Sequence, residues 1–267
     1  MDVTIKDLEL LVNDQNKSNY ETLYQIIVNE FENALRDTDI KSLTDEKIKT
    51  MGTCGIYLSS IVELLHSIRD LMQKGLLESG GIVAAALWER ALTLRKILID
   101  PEKNSETHVK HIKAKKTPWT TWGMVEDVIN DENRKKPKKD KDIEAKLFYL
   151  QYTFLCNIKH GNPFTISYLN RPDRSSVETL FKNRPNDSYS DKDLKTYIML
   201  LAGDNALDAL IDYTKLYRTT TKGVDAVRDF ADQVRRLVPL NVPKIFITTP
   251  EEMGMEFWEH LVNIDKK

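Results

Sequence analysis

The chain has 267 residues, enough to bury a substantial core, and its 41% hydrophobic and 30% charged content argue against wholesale disorder. With 39 Lys and Arg against 41 Asp and Glu, the net charge of −2 removes any chain-wide attraction for nucleic acid and leaves only local clusters to supply it. Cys54 and Cys156 stand far apart with no C-x-x-C, which argues against a disulfide framework or a structural zinc site.

The first residues, Met1-Asp2-Val3-Thr4-Ile5-Lys6-Asp7, lack a basic region and an apolar core, so no signal peptide is expected. No run of roughly 18 apolar residues appears, so no membrane span is expected and a cytoplasmic protein is the simplest reading. Helical periodicity begins over 19–36, with Leu23, Ile27, Phe31 and Leu35 on one face. It resumes over 44–74, where Ile48, Met51, Cys54, Leu58, Val62, Leu65 and Met72 form a stripe with Ile61 and Ile68 beside it. Thr44-Asp45-Glu46 reads as its start and Gly75 as its end, with Gly52 and Gly55 loosening the middle.

Ser79-Gly80-Gly81 reads as a break. The segment 82–99 is then apolar over most of its circumference, which predicts a helix at the centre of a bundle. Glu89, Arg90 and Arg95 are its conspicuous polar residues, and Asp100-Pro101 ends it. Residues 102–142 look like a basic, partly mobile excursion from the bundle, carrying the clusters at 110–116 and 134–141 around Trp119 and Trp122, with a short helix running from there to Asn130.

An aromatic helix from about Asp142 closes in Asn157-Ile158-Lys159-His160 before Gly161-Asn162-Pro163, a helix stop followed by a chain reversal. The stretch 170–186 reads as an exposed connection. Helical patterns follow from Ser190 through Leu216 and over 224–237, then a short extended segment at 242–247. Thr249-Pro250-Glu251-Glu252 is a capping box that opens a final helix. The fold class expected is all-α: a multi-helix bundle over 1–169 with its basic insertion, and a C-terminal helical region over 170–267 packed on the same core or separate from it.

Three sites stand out. His160 at a helix C-terminus suits proton transfer or nucleotide contact, and also suits plain capping against the negative end of the dipole. Asn157 lies one turn earlier on the same side, while Lys159 points elsewhere and reads as solvated. Arg90, with Glu89, needs a partner on so apolar a helix and could face His160 across a cleft, where its planar fork would suit phosphate. The third is a nucleic-acid contact by Lys113, Lys115, Lys116, Lys135 and Lys136, with Trp119 and Trp122 offered for base stacking; solvated loops are the plain alternative. His108 and His111 have the spacing of two metal ligands on one turn, but no carboxylate or third histidine joins them, so no metal or other cofactor is expected. P-loop, dinucleotide, hydrolase-elbow and H-E-x-x-H motifs do not occur.

The order of a central helix reading Ala86-Leu87-Trp88-Glu89-Arg90-Ala91-Leu92-Thr93-Leu94-Arg95 and an aromatic helix ending Asn157-Ile158-Lys159-His160 resembles the HEPN superfamily (higher eukaryote and prokaryote nucleotide-binding domains) over about 44–165. The resemblance implies a dimeric, metal-independent ribonuclease of a bacterial defence or stress system, of the toxin–antitoxin or antiphage kind, or a relative that only binds nucleotides or partners. The family motif places an Arg four to six residues before a His. Here Phe154 and Leu155 occupy those places, so only His160 carries over, with Asn157 as a polar neighbour. The expected activity is therefore RNA- or nucleotide-directed, with Arg90 standing in for the motif cation and a homodimer as the assembly. The alternative is a non-catalytic helical interaction subunit that binds or scaffolds a partner protein.

Overall fold

The computed structural model describes residues 27–29, 31–33, 43–160 and 191–217. Among these it contains helices α1 (Asp45–Gln73), α2 (Leu77–Ile99), α3 (Pro101–Lys113), α4 (Thr121–Glu132), α5 (Lys138–Lys159) and α6 (Asp191–Tyr217), with no strand. The architecture is an all-α bundle. The expected helix over 224–237, the segment at 242–247, the capping box at Thr249 and the connection at 170–186 lie outside the described residues, as does most of the pattern over 19–36.

A helix apolar on nearly every side needs neighbours on every side, and α2 packs against each of the other five helices. Leu87, Trp88, Leu92, Leu94 and Ile97 are fully enclosed, each contributing roughly 1.5–3 kcal/mol by leaving water. α1 lies alongside it through Cys54, Leu58, Ile61, Leu65, Ile68 and Met72, while Ile48, Met51 and Val62 sit half-buried at the margin of that stripe. By length and composition α1 could cross a membrane; its one-sided buried stripe against α2 is what a core helix of a bundle shows. Thr44 caps it by accepting a hydrogen bond from Lys47 N at 3.4 Å, and Gly52 and Gly55 leave it unbroken.

The turn after α1 comes where Gly75 predicts it. Gly75 takes a left-handed φ of 73°, and Leu76 N donates to Leu71 O while Gly75 N donates to Met72 O, the paired bonds of a Schellman stop. The expected break at Ser79-Gly80-Gly81 is corrected: α2 already runs from Leu77, and both glycines are buried inside it. They are there for close approach. A Cβ on Gly81 would stand 2.8 Å from Cδ1 and 2.9 Å from Cγ2 of Ile158, so the missing side chain lets the end of α5 press onto α2. A Cβ on Gly80 would meet only the flexible tip of Met72.

Residues 102–142 are corrected as well. The short helix expected to Asn130 is present as α4, but instead of an excursion the stretch also forms α3 and the start of α5, which begins at Lys138 rather than near Asp142. Met124, Val125, Val128 and Ile129 seal α4 onto α2 and α5. α3 ends in a second Schellman stop, with Lys116 N donating to His111 O and Lys115 N to Ile112 O, both at 2.9 Å. The left-handed position is held here by Lys115 (φ 53°), at a cost of about 1 kcal/mol relative to glycine.

These glycine and lysine environments predict a rank order in thermal unfolding. Gly52→Ala, in open space on an exposed helix face, raises stability by up to about 1 kcal/mol. Lys115→Gly raises the midpoint by a few degrees through relief of its backbone strain. Gly81→Ala lowers it, because roughly 1–3 kcal/mol of overpacking against Ile158 outweighs the gain in helix propensity.

Candidate functional site

The end of α5 meets α2 at a small polar cluster built on Glu89. Its carboxylate Oε1 accepts hydrogen bonds from the Tyr152 hydroxyl at 3.0 Å and from Lys159 Nζ at 2.8 Å. The periodicity explains the meeting, since Tyr152, Cys156 and Lys159 fall three or four residues apart on the face of α5 that looks at α2. Trp88 supports it from below by stacking on Tyr152, with ring centres 4.7 Å apart, and Phe148 lies on the same indole. Lys159, read from the sequence as solvated, is instead the ion-pair partner of Glu89.

Asn157 is half-buried on this last turn, and His160 is the C-cap of α5, its backbone N–H bonded to Cys156 O at 2.8 Å and its side chain exposed. Arg90 leaves α2 on a different side, with its guanidinium over the Tyr57 ring of α1 at 5.9 Å. Among the described residues, no hydrogen bond joins Arg90, Asn157 and His160 to one another.

The dominant buried charge on α2 is Arg95, whose side chain is 2% exposed. It pairs with Glu132 at the end of α4, with Asp212 of α6 at 3.0 Å and with Asp208 of α6 at 3.6 Å, and Phe148 covers the guanidinium. Burial alone would lower its pKa, but Asp208, Glu132 and Asp212 together raise it, so the charge is permanent. Burial raises Glu132, against the pull of Arg95. Sequence reasoning singled out Arg95 and missed its partners. The signal was present: Asp208 and Asp212 stand four residues apart in the mainly apolar stretch 206–213 of α6, the pattern of a helix facing a buried cation.

A third cluster roots α3. His108 Nε2 and the Tyr57 hydroxyl share a hydrogen bond of 2.6 Å, the imidazole stacks on Trp119 at 5.7 Å, and Lys96 lies over the far ring while pairing with Asp127. Ser105 donates to Thr53 one turn earlier. His108 is thus committed to packing, and His111 Nδ1 is bonded to Thr107 O. No group of three or more His, Cys, Asp or Glu side chains is placed to hold a metal among the described residues.

The two tryptophans offered for base stacking are half-buried and face inward, Trp119 on His108 and Trp122 edge-on to Tyr149. Lys113, Lys115, Lys116 and Lys135 are exposed, whereas Lys136 is tied to Glu144 at 2.5 Å. Neither thiol is shifted towards the thiolate. Burial pushes Cys54 up to about 12 against the nearby Tyr217 hydroxyl, and raises Cys156 against the effects of Tyr152 and Lys159.

Two outcomes follow for stability. Arg95→Met leaves three carboxylates facing one another and lowers unfolding stability by about 3 kcal/mol, while Asp127→Ala, which removes a half-exposed pair, costs under about 1 kcal/mol. Burial, aided by His111, lowers the pKa of His108 below 6.5, so the unfolded chain binds its proton more readily. Stability from this residue is complete above pH 6.5 and declines as pH falls from there towards the lowered folded value. Thermal melts between pH 7.5 and 5 should show the decline, and His108→Phe should flatten it on a lower baseline, since the Tyr57 hydroxyl loses its partner.

Comparison with protein-family models, with curated proteins and with solved structures returns no match for this chain.

Proposed function

We propose that the chain is a helical interaction subunit that works by binding and performs no chemistry of its own. The observation that carries this reading is that Glu89, Tyr152 and Lys159, where the end of α5 meets α2, are spent on each other. Glu89 is neutralised by Lys159 and held by Tyr152, and Arg90 is turned onto Tyr57. General acid–base catalysis needs its groups within hydrogen-bond reach of one reacting centre, and His160 has no such companion among the described residues. The metal-independent ribonuclease implied by the HEPN resemblance also needs a cation beside the histidine to meet developing phosphorane charge.

A second reading keeps an RNA- or nucleotide-directed effector, and one observation favours it. The His160 side chain is exposed at the helix end with Asn157 one turn before it, open to a ligand that would bring the missing charge partner from a second copy. The two readings part in one assay. Purified protein is incubated with total RNA and EDTA, beside His160→Ala. The interaction reading expects intact RNA in both tubes. Cleavage that disappears in His160→Ala at an unchanged melting temperature would overturn it in favour of the effector.

A further inference from the structure

The outer face of α1 carries the most exposed large apolar side chain among the described residues, Ile56 at 70% exposure. Only a third of the 18-residue apolar stretch of this helix is buried within the chain. Gly52 stands one turn before Ile56 on the same face, in a position where glycine weakens a helix relative to alanine. Gly81 is explained by the close approach of Ile158, but a Cβ at Gly52 would meet nothing within 4 Å. An exposed helical glycine with no neighbour of its own leaves room for a second backbone to come close.

The residues around Ile56 are arranged in mirror order. Positions four, seven and eleven residues to either side all lie within about 40° of Ile56 around the helix axis. A second copy laid antiparallel, with a two-fold axis at Ile56, sets each of these positions on its mirror. Gly52 then meets Ser60, Lys49 meets Glu63, and Asp45 meets the uncharged Ser67. Lys49 and Glu63 are both exposed, and neither has an ion-pair partner among the described residues.

Other placements bring like charges together. Sliding the copy by one turn sets Asp45 against Glu63 in one direction and against Asp70 in the other. A parallel pair in register sets Lys49 on Lys49 and Glu63 on Glu63. Charge therefore selects one orientation and one register, and the patch is self-complementary as a two-fold interface requires. A lipid surface would accept Ile56 but would gain nothing from charges in mirror order.

We infer that the outer face of α1 is the interface of a homodimer. The two helices pack antiparallel with Ile56 on the axis, and Lys49 of each chain pairs with Glu63 of the other. One helix face buries less than the roughly 800 Å² per partner of a standard interface, so the dimer is weak and forms at micromolar concentrations. Self-association does not depend on the interaction reading, and either can fail alone.

Sedimentation equilibrium of the full-length chain from about 1 to 300 μM tests the interface. A monomer–dimer equilibrium is expected, about a hundredfold weaker in Ile56→Asp, which places two carboxylates on the axis. Lys49→Glu and Glu63→Lys should each weaken association about tenfold, since either creates two like-charged contacts per dimer. An equal mixture of these two variants should associate as tightly as the unaltered chain, because their heterodimer has opposite charges at both contacts. All three positions are exposed, and thermal melts at low concentration show that each variant is folded. A monomer throughout the range, a dimer that Ile56→Asp leaves intact, or a mixture no tighter than its components would each overturn the assignment. Flotation with phosphatidylcholine vesicles is the remaining arm. A monomer that floats, and no longer does so as Ile56→Asp, would assign the face to lipid instead.

Discussion

A guanidinium buried at the centre of a helical bundle is tolerable only when anions surround it, and Arg95 is that case. Its partners come from α4 and α6, and the face of Phe148 from α5 closes over it, so four helices share one charge. The attraction in so dry a place does not by itself make the fold more stable than an apolar core would be. It does restrict the alternatives. Any arrangement that rotates α6 by a residue or two withdraws Asp208 and Asp212 together and strands the cation. The apolar faces of α2 would accept several neighbours, whereas Arg95 accepts only one placement of them.

The same helix explains how the rest of the bundle is built. α2 contributes small residues where neighbours come close and large ones where they stand back: Gly81 admits Ile158, while Trp88 fills the space beside Tyr152 and Phe148. Around this rod the polar side chains are used as fasteners. Glu89 ties the last turns of α5, Asn104 donates from α3 to Lys96 O at 2.8 Å, and Lys96 reaches Asp127 of α4. Each is individually modest. Together they set the register in which the apolar surfaces meet.

Much of this was legible from residue order. The all-round apolar pattern of 82–99 identifies the central helix, the three-to-four-residue stripe identifies α1, and His160-Gly161 marks the end of α5. What was not legible has physical causes. Glycine reads as a breaker unless the neighbour it makes room for is known, and Ile158 lies 77 positions beyond Gly81 in sequence. Lysines around short apolar stripes hide α3, and they disguise the packing of α4, whose helix was expected but whose four buried residues were not. The candidate site divides in the same way. Glu89 and the closing turn of α5 stand out in sequence, but pairing Glu89 with Lys159, or turning Arg90 onto Tyr57, depends on a crossing geometry that local pattern does not encode.

The position of α6 has a consequence for how the chain reaches this state. Arg95 is separated from Asp212 by 117 residues, so the cation and the apolar flank of α2 that α6 covers are complete only after that loop has closed. During synthesis, a ribosome-bound chain ending before residue 191 can assemble α1 to α5 with Glu132 as the one anion of this set at the guanidinium. Such a nascent bundle presents a long sticky flank and a charge lacking two of its three counterions. Contacts of this range slow folding and prolong exposure. In the interval before α6 emerges, the apolar flank of α2 that it covers stays exposed.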